Sequence, residues 1–240
     1  MLRLQNLTVS VQGKTILQNV NLHIRPGEVH VLFGQNGSGK STLVGAIMGF
    51  SRYQITGGSI YFYGQDITAL PVDERARLGI GVMMQRPPTL KGVTVRQLVS
   101  ICGKNRADID ALASVAHMGD FLDRGVNDGF SGGEIKRSEL LQLMAQKPDL
   151  LLLDEPESGV DMENLSVVGR AVNYILERDE RAANKSGLII THTGHILQYV
   201  AADVAHVLYG GTISCQGNPQ KLLGCIKNVG YEQCAACLRG

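Results

Sequence analysis

The chain has 240 residues, which is enough for one sizeable hydrophobic core or a core with a small appended subdomain. Its formal net charge of +1 argues against a nucleic-acid-binding protein with a broad basic face, and no apolar run approaches the roughly twenty residues that span a bilayer. The 5 cysteines, an odd number, do not indicate a disulfide framework, and the first residues predict no secretory segment. We therefore expect a cytoplasmic protein without nucleic-acid binding or direct membrane insertion.

The first 33 residues predict an antiparallel β arm that leads into a further strand. Apolar residues are spaced for half-buried strands over 2–9 and again over 20–24. The turn residues Arg25-Pro26-Gly27 separate the second run from a mostly apolar run at 28–33. That last run is predicted to be the strand that carries the next motif.

A phosphate-binding loop follows at 34–41, where Gly-Gln-Asn-Gly-Ser-Gly-Lys-Ser fits the spacing G-x-x-x-x-G-K-[ST]. A predicted strand precedes the loop and a predicted helix at 42–50 follows it, as this motif requires. The glycines let backbone N–H groups approach phosphate oxygens, and the helix directs its positive N-terminus at the same anion. Lys40 suits the outer phosphates, and the Ser41 hydroxyl can ligate Mg²⁺. The loop therefore predicts a nucleoside triphosphate ligand.

More β structure follows the loop helix and ends in a glutamine. Gly57-Gly58 predicts a turn, 59–63 a strand, and 70–77 a short helix with a proline near its start. The strand predicted at 80–84 is followed directly by Gln85. The amide of Gln85 could reach Mg²⁺ or an attacking water, although a lone loop glutamine is more often only solvated.

The middle of the chain predicts a small helical insert, with helices at 93–102 and 109–118. A capping box then stands at Ser131-Gly132-Gly133-Glu134, ahead of a helix that runs to about Gln146. Two glycines in a first helical turn cost about 1 kcal/mol each relative to alanine, and a cap alone would not need them. We expect their bare N–H groups, with the Ser131 hydroxyl, to form a second phosphate-binding surface. A phosphate-binding loop and a separate anion clamp, Ser131-Gly132-Gly133, on one chain predict two copies that face each other head to tail.

Two later strands are predicted to end in residues suited to catalysis. The run of four leucines at 150–153 leads into Asp154 and Glu155. A carboxylate at such a strand tip can hold Mg²⁺, and its neighbour can polarise the attacking water, so we assign Asp154 to the metal and Glu155 to catalysis. The strand predicted at 188–191 ends at His192, which suits a sensor of the γ-phosphate.

These motifs, in this order, resemble the ABC-type ATPases. Ser131-Gly132-Gly133-Glu134 resembles their signature sequence, and Ser158-Gly159-Val160-Asp161 resembles their D-loop. The resemblance implies an α/β fold, a P-loop NTPase nucleotide-binding domain of the ABC type with an antiparallel β arm and a small helical subdomain. It implies one domain over 1–240, with the helical subdomain at about 86–147 and a C-terminal tail at about 218–240.

In such ATPases, ATP and Mg²⁺ are buried between two chains, and hydrolysis releases the closed dimer. The resemblance implies Glu155, His192, Gln85 and Lys40 as catalytic residues, and Ser41, Gln85 and Asp154 as ligands of Mg²⁺. The residues implied to bind ATP are Gly34, Gln35, Asn36, Gly37, Ser38, Gly39, Lys40, Ser41, Thr42, Ser131, Gly132, Gly133 and Asp161.

Longer phrases resemble the SufC family, the soluble ABC ATPases of iron–sulfur cluster assembly. They are 53–60, 125–137, 157–161 and 206–211. This resemblance implies a partner similar to the soluble scaffold protein SufB. Closure of the ATPase dimer would drive a conformational change in that partner. Pro156, however, follows Glu155 as it does in transport ATPases, so the nucleotide-binding subunit of a membrane ABC transporter is the alternative. A regulatory module that closes on ATP without hydrolysis is a third reading, which Glu155 and His192 argue against.

Two further expectations concern Lys136 and the last cysteines. Lys136 stands where transport ATPases tend to have glutamine, and we expect it to pair with Glu155 in the resting monomer. Cys234 and Cys237 have Cys-x-x-Cys spacing. They predict either exposed thiols on a frayed terminus or a contact with iron or a cluster.

Overall fold

A computed structural model describes residues 1–177 and 184–236. Its strands are β1 (Leu2–Val11), β2 (Lys14–Ile24), β3 (Val29–Phe33), β4 (Gln54–Phe62), β5 (Gln65–Asp66), β6 (Ile80–Met83), β7 (Leu90–Thr94), β8 (Gly125–Val126), β9 (Leu150–Asp154), β10 (Ser186–Thr191), β11 (Val204–Tyr209) and β12 (Thr212–Gly217). Its α-helices are α1 (Lys40–Met48), α2 (Val72–Arg77), α3 (Val95–Cys102), α4 (Ile109–Val115), α5 (Gly132–Gln146), α6 (Met162–Ile175) and α7 (Pro219–Ala236). Short 3₁₀ turns lie at Gly119–Phe121 and His195–Gln198.

A six-stranded sheet in the order β12-β11-β3-β10-β9-β6 forms the centre of the molecule. All neighbouring strands are parallel except the antiparallel pair of β11 and β12. Strands β3, β9 and β10 are buried along their whole length, which explains their nearly continuous apolar sequences. Because the strands are parallel, the loops that follow β3, β6, β9 and β10 leave the same edge of the sheet. Ligands of open α/β sheets bind at this edge.

The predicted antiparallel arm is a four-stranded sheet in the order β2-β1-β4-β5. The turn predicted at Gly57-Gly58 is wrong, because both glycines lie inside β4. The pairing of β4 with β1 shifts register between Gln5 and Thr8, and Gly58 adopts a φ of 76° at this irregularity. A Cβ atom on Gly58 would lie 2.3 Å from the carbonyl oxygen of Gln5. The glycines therefore mark a bulge in a continuous strand rather than its beginning.

The helical segment contains α3, α4 and α5, with the small ribbon of β7 and β8 beside them. The helix predicted at 93–102 begins at Val95, because Leu90–Thr94 forms β7 and the Thr94 hydroxyl caps the helix. The helix predicted at 109–118 ends at Val115. The boundaries of the subdomain at about 86–147 stay a prediction.

The central sheet separates two hydrophobic cores, because alternate side chains of each strand point to opposite faces. Val31, Leu151 and Ile189 belong to the core that α3 to α7 cover. Leu32, Leu152 and Ile190 belong to the core that contains α1 and the arm. We call these the helical core and the arm core.

The end of α1 is fixed by Arg75 of α2, whose side chain is 2 % exposed. Its Nη1 donates to the carbonyl oxygens of Ala46 and Ile47, both at 2.8 Å. Its Nε donates to Leu70 O at 2.8 Å, and its Nη2 donates to Thr68 O at 2.9 Å. A cation thus binds carbonyl groups in the last turn of the loop helix, where the helix dipole favours positive charge.

Candidate nucleotide-binding and catalytic site

The phosphate loop joins β3 to α1, as its sequence predicts, and two of its glycines have no room for a side chain. A Cβ on Gly34 would lie 2.5 Å from Ser38 Oγ and 2.9 Å from the carbonyl oxygen of Leu208. Gly39 caps α1 with a φ of 104°, and a Cβ there would lie 2.7 Å from Leu17 Cδ2. The arm therefore presses against the loop and holds its backbone in the tight conformation that anion binding requires.

Lys40 is buried inside the loop. Its Nζ donates to the carbonyl oxygens of Gly34 at 2.8 Å and Gln35 at 3.0 Å, and lies 3.8 Å from Glu155 Oε1. Burial lowers the pKa of Lys40, and the charges of Glu155 and Asp154 oppose this effect. The ammonium group is thereby held at the mouth of the loop, beside the acidic residues that follow β9.

Glu155 is the point at which the loops after four strands meet. The Gln85 side chain donates from Nε2 to Glu155 Oε2 at 2.8 Å, and His192 Nδ1 lies 3.1 Å from Glu155 Oε1. The carboxylate is buried, and its backbone takes a φ of 52°, which a residue with a side chain adopts at an energetic cost. The structure thus brings Gln85, Glu155, His192 and Lys40 into one cluster.

Asp154 has the chemistry of a hard-cation ligand. Its side chain is buried, and its Oδ1 has no hydrogen-bond partner among the described residues. Burial raises the pKa of Asp154, while the nearby Ser41 hydroxyl opposes the rise. Ser41, Gln85 and Asp154 line one cleft of about 750 Å³. A buried carboxylate oxygen without a partner, beside a hydroxyl and an amide, fits the oxygen ligands that Mg²⁺ prefers.

A second cleft of about 370 Å³ runs along the phosphate loop. Asn36, Gly37, Gly39, Thr42 and other loop residues line it together with Glu155. Val11 and Ile16 of the arm line it as well, as does Tyr53. The arm thus contributes aliphatic side chains to the cleft beside the phosphate loop.

The predicted anion clamp lies apart from these two clefts, since neither is lined by Ser131, Gly132 or Gly133. Ser131 caps α5, and its Oγ accepts from the N–H of Glu134 at 3.4 Å. Ser131 and Gly132 are exposed. Gly133 is buried. The hydroxyl proton of Ser131 and the N–H of Gly132 therefore remain available to a ligand outside the chain.

The glycines of the clamp have a second role that the sequence did not reveal. A Cβ on Gly132 would lie 2.2 Å from the carbonyl oxygen of Gly159, and one on Gly133 would lie 3.0 Å from Asn164 Cγ. Asp161 caps α6 by accepting from Asn164 N at 2.8 Å and Asn164 Nδ2 at 2.7 Å. The start of α5 is thus packed directly on the D-loop-like segment before α6.

The expected pairing of Lys136 with Glu155 is wrong. Lys136 is buried, and its Nζ donates to the carbonyl oxygens of Met84 at 2.7 Å and Gln85 at 3.1 Å. Glu139, one turn further along α5, accepts from Met84 N at 3.1 Å and lies 3.9 Å from Lys136 Nζ. Glu155 is already bound by Gln85 and His192. Lys136 therefore binds the main chain that leads into Gln85 instead of the carboxylate of Glu155.

Several residues of the site carry no local signal in the sequence. Glu157 accepts hydrogen bonds from the hydroxyl groups of Thr191 and Thr193, at 2.9 Å for the latter, and so ties the loop after β9 to the loop after β10. A third acid close behind Asp154 and Glu155 is the one hint of this role. Tyr231, on α7, donates from its hydroxyl to the carbonyl oxygen of His192 at 3.1 Å.

The prediction of exposed thiols on a frayed terminus is wrong for Cys234, which is 1 % exposed and belongs to the helical core. Cys237 lies outside the described residues. Within residues 1–177 and 184–236, no three His, Cys, Asp or Glu side chains are grouped so as to hold a metal ion. The contact of Cys234 and Cys237 with iron stays a prediction.

The arrangement of phosphate loop, strand-end acids and α5 cap is matched by a known family. The family model described as ABC transporter matches residues 17–158. The chain belongs to the ABC ATPase family. It is 40% identical to a probable ATP-dependent transporter of Synechocystis, over 96% of this chain and 94% of that protein. It is 38% identical to the probable ATP-dependent transporter SufC of Escherichia coli, over 91% and 92%.

Solved structures confirm the predicted fold class of this ABC ATPase. A nucleotide-free ATP-binding cassette from an ABC transporter superimposes with a TM-score of 0.78 at 24% identity, over 98% of both chains. A bacterial ABC transporter cassette solved as a dimer gives a TM-score of 0.77 at 22% identity, over 91% of this chain and 98% of that one. None of the helices in the described part of the chain is both long and apolar enough to cross a bilayer.

Proposed function

We propose that this ABC ATPase hydrolyses Mg-ATP as a dimer and drives a soluble, cytoplasmic assembly machine for iron–sulfur clusters. The observation that carries the catalytic part is the position of Glu155, buried and held between Gln85 and His192. Glu155 accepts a proton from the attacking water, and the amide of Gln85 orients the Glu155 carboxylate. His192 contacts the γ-phosphate, and Lys40 neutralises the outer phosphates.

Magnesium, when bound, would neutralise phosphate charge, and Ser41, Asp154 and Gln85 would hold it. The partner-free oxygen of Asp154 supports this assignment. ATP contacts the phosphate loop of one copy. The pocket is completed by a second copy, which contributes Ser131, Gly132 and Gly133, and Asp161 lies at the same interface. The exposure of Ser131 and Gly132 and the dimeric cassette among the similar structures support this arrangement.

The catalytic proposal is tested with Glu155→Gln, which keeps the size of the side chain and removes its basicity. We expect phosphate release from Mg-ATP to fall by at least about 100-fold, while ATP still binds. Without hydrolysis the closed dimer persists, so sedimentation with Mg-ATP should show a dimer that the wild type forms only transiently. Glu74→Gln, an exposed change on α2, serves as control. Full hydrolysis by Glu155→Gln would refute the role of Glu155.

The cluster-assembly role rests on the similarity to SufC of Escherichia coli and on the phrases that resemble the SufC family, and its expected partner is a scaffold similar to SufB. The alternative is the nucleotide-binding subunit of a membrane transporter, which Pro156 and the transporter names of several relatives favour. Co-purification from the native cell separates the two. A soluble β-rich scaffold that gains clusters in an ATP-dependent manner supports assembly, whereas an integral membrane protein contradicts it.

A further inference from the structure

The C-terminal helix α7 contacts the catalytic loops directly. The helix is kinked at Gly230, whose φ of 82° and ψ of 172° are conformations that glycine adopts readily. Beyond the kink, Cys234 and Ala235 are buried in the helical core. These two residues fix the last turn of α7 and so place Tyr231 against the edge of the central sheet.

The hydroxyl group of Tyr231 contacts the loops that follow two neighbouring strands. It donates to the carbonyl oxygen of His192 at 3.1 Å, and it lies beside the backbone of Gly34. Burial raises the pKa of the Tyr231 phenol, the nearby backbone N–H of Gly34 lowers it, and the charge of Glu155 raises it further. A phenol can donate one hydrogen bond and accept others, so one side chain serves both contacts.

These contacts continue the ladder of the sheet. Strands β3 and β10 are parallel, and their last paired residues are Phe33 and Thr191. Gly34 and His192 come next along each strand, at the point where the pairing ends. The phenol of Tyr231 links the two strands where the next pair would have been, and so connects the first residue of the phosphate loop to the catalytic histidine.

A second contact of α7 supports the same loop. Gly194, two residues after His192, has a φ of 74°, and a Cβ there would lie 2.9 Å from Leu223 Cδ1 of α7. The segment 192–194 is therefore held by α7 on two sides. His192 itself is partly exposed, and among the described residues Glu155 is the hydrogen-bond partner that orients its ring.

We propose that Tyr231 is a positioning residue for catalysis, which holds His192 and the start of the phosphate loop at a fixed spacing. This rests on the proposed role of His192 toward the γ-phosphate. The C-terminal helix is then part of the catalytic machinery rather than a tail, and the loss of one hydroxyl group on it slows hydrolysis.

The test compares Tyr231→Phe with Tyr63→Phe, a control at a residue that is 56% exposed. The loss of one hydrogen bond predicts a fall in kcat of about three- to tenfold for Tyr231→Phe, with KM for ATP changed less than about twofold. Tyr63→Phe should match the wild type. Equal kcat values for Tyr231→Phe and the wild type would overturn the proposal.

A double-mutant cycle with His192→Ala shows whether Tyr231 acts through the histidine. We expect Tyr231→Phe to have no further effect on kcat in the His192→Ala background. Additive losses would overturn the proposal and leave the role of His192 intact. Unchanged hydrolysis by His192→Ala alone would instead refute the proposed role of His192, and the positioning role with it.

Discussion

At the scale of single residues, Gly132 in the α5 cap shows how the absence of a side chain can meet two demands. Gly132 leaves its N–H group open to a ligand, and it also lies against the carbonyl oxygen of Gly159. The two roles can be measured separately, because packing is a property of the monomer and anion binding is a property of the proposed dimer. Stability measurements on the monomer can therefore isolate the first.

Gly132→Ala should destabilise the monomer by about 1–3 kcal/mol, because its Cβ would stand 2.2 Å from a backbone oxygen. Urea unfolding of the nucleotide-free protein measures the effect. Gly224→Ala is the matched control: it lies in α7, and a Cβ there meets nothing within 4 Å. The control should gain about 0.5–1 kcal/mol from helix propensity. Equal stabilities of the two variants would show that the start of α5 can shift away from Gly159 at no cost in stability.

Glu139 gives the monomer a stability that depends on pH. Burial raises its pKa to about 7, and the charge of Lys136 and the bond from Met84 N only partly oppose the rise. The folded chain therefore holds the proton more tightly than the unfolded chain. The resulting stability is present below about pH 4.5 and is lost as pH rises toward about 7.

Glu139→Gln should remove that loss, because the amide oxygen can still accept from Met84 N while no carboxylate at this position becomes charged on burial. Between about pH 5 and pH 8, the wild type should lose on the order of 1–3 kcal/mol relative to the variant. Urea unfolding at several pH values measures the difference, with the exposed change Glu163→Gln as control. Parallel pH profiles for wild type and Glu139→Gln would rule out this titration.

At the scale of elements, α2 stabilises the loop helix through one buried side chain. The planar guanidinium of Arg75 reaches four carbonyl oxygens that a single ammonium group could not reach together. α1 is thus held at both ends, by the phosphate loop at its start and by Arg75 in its last turn.

Arg75→Lys should cost about 2–3 kcal/mol, because it leaves buried carbonyl oxygens without a donor. Arg77→Lys on the same helix is the control, since Arg77 is exposed and its pair with Asp73 at 2.7 Å contributes less than about 1 kcal/mol. Thermal unfolding of both variants measures the contrast. A small effect of Arg75→Lys would show that water replaces the lost donors.

Helix α5 illustrates what could be predicted from sequence at this scale. The capping box of α5 is a local pattern, and both of its hydrogen bonds form as predicted. The direction of the Lys136 side chain depends on α5 lying beside the loop after β6, which no local pattern shows. The sequence indicated that Lys136 was unusual but not which atoms it would reach.

At the scale of the whole molecule, the catalytic cluster was predictable because one rule of α/β folds gathers it. Gln85, Asp154, Glu155 and His192 each stand at or just after the end of a predicted strand, and parallel strands bring those ends to one edge. Tyr231 follows no such rule. It lies 39 residues from its partner His192, on a helix that is kinked at Gly230 and whose last turn buries Cys234 in the helical core.

The two cores described above also bear on how related chains can diverge. A side chain on one face of the central sheet has no contact with the other core, so substitutions in the helical core and the arm core should have additive effects on stability. The loop helix α1 packs in the arm core. Related chains can therefore reshape helices of the helical core such as α3 and α4 without repacking α1, whereas α5 and α7 must keep their contacts with the loops after β6 and β10.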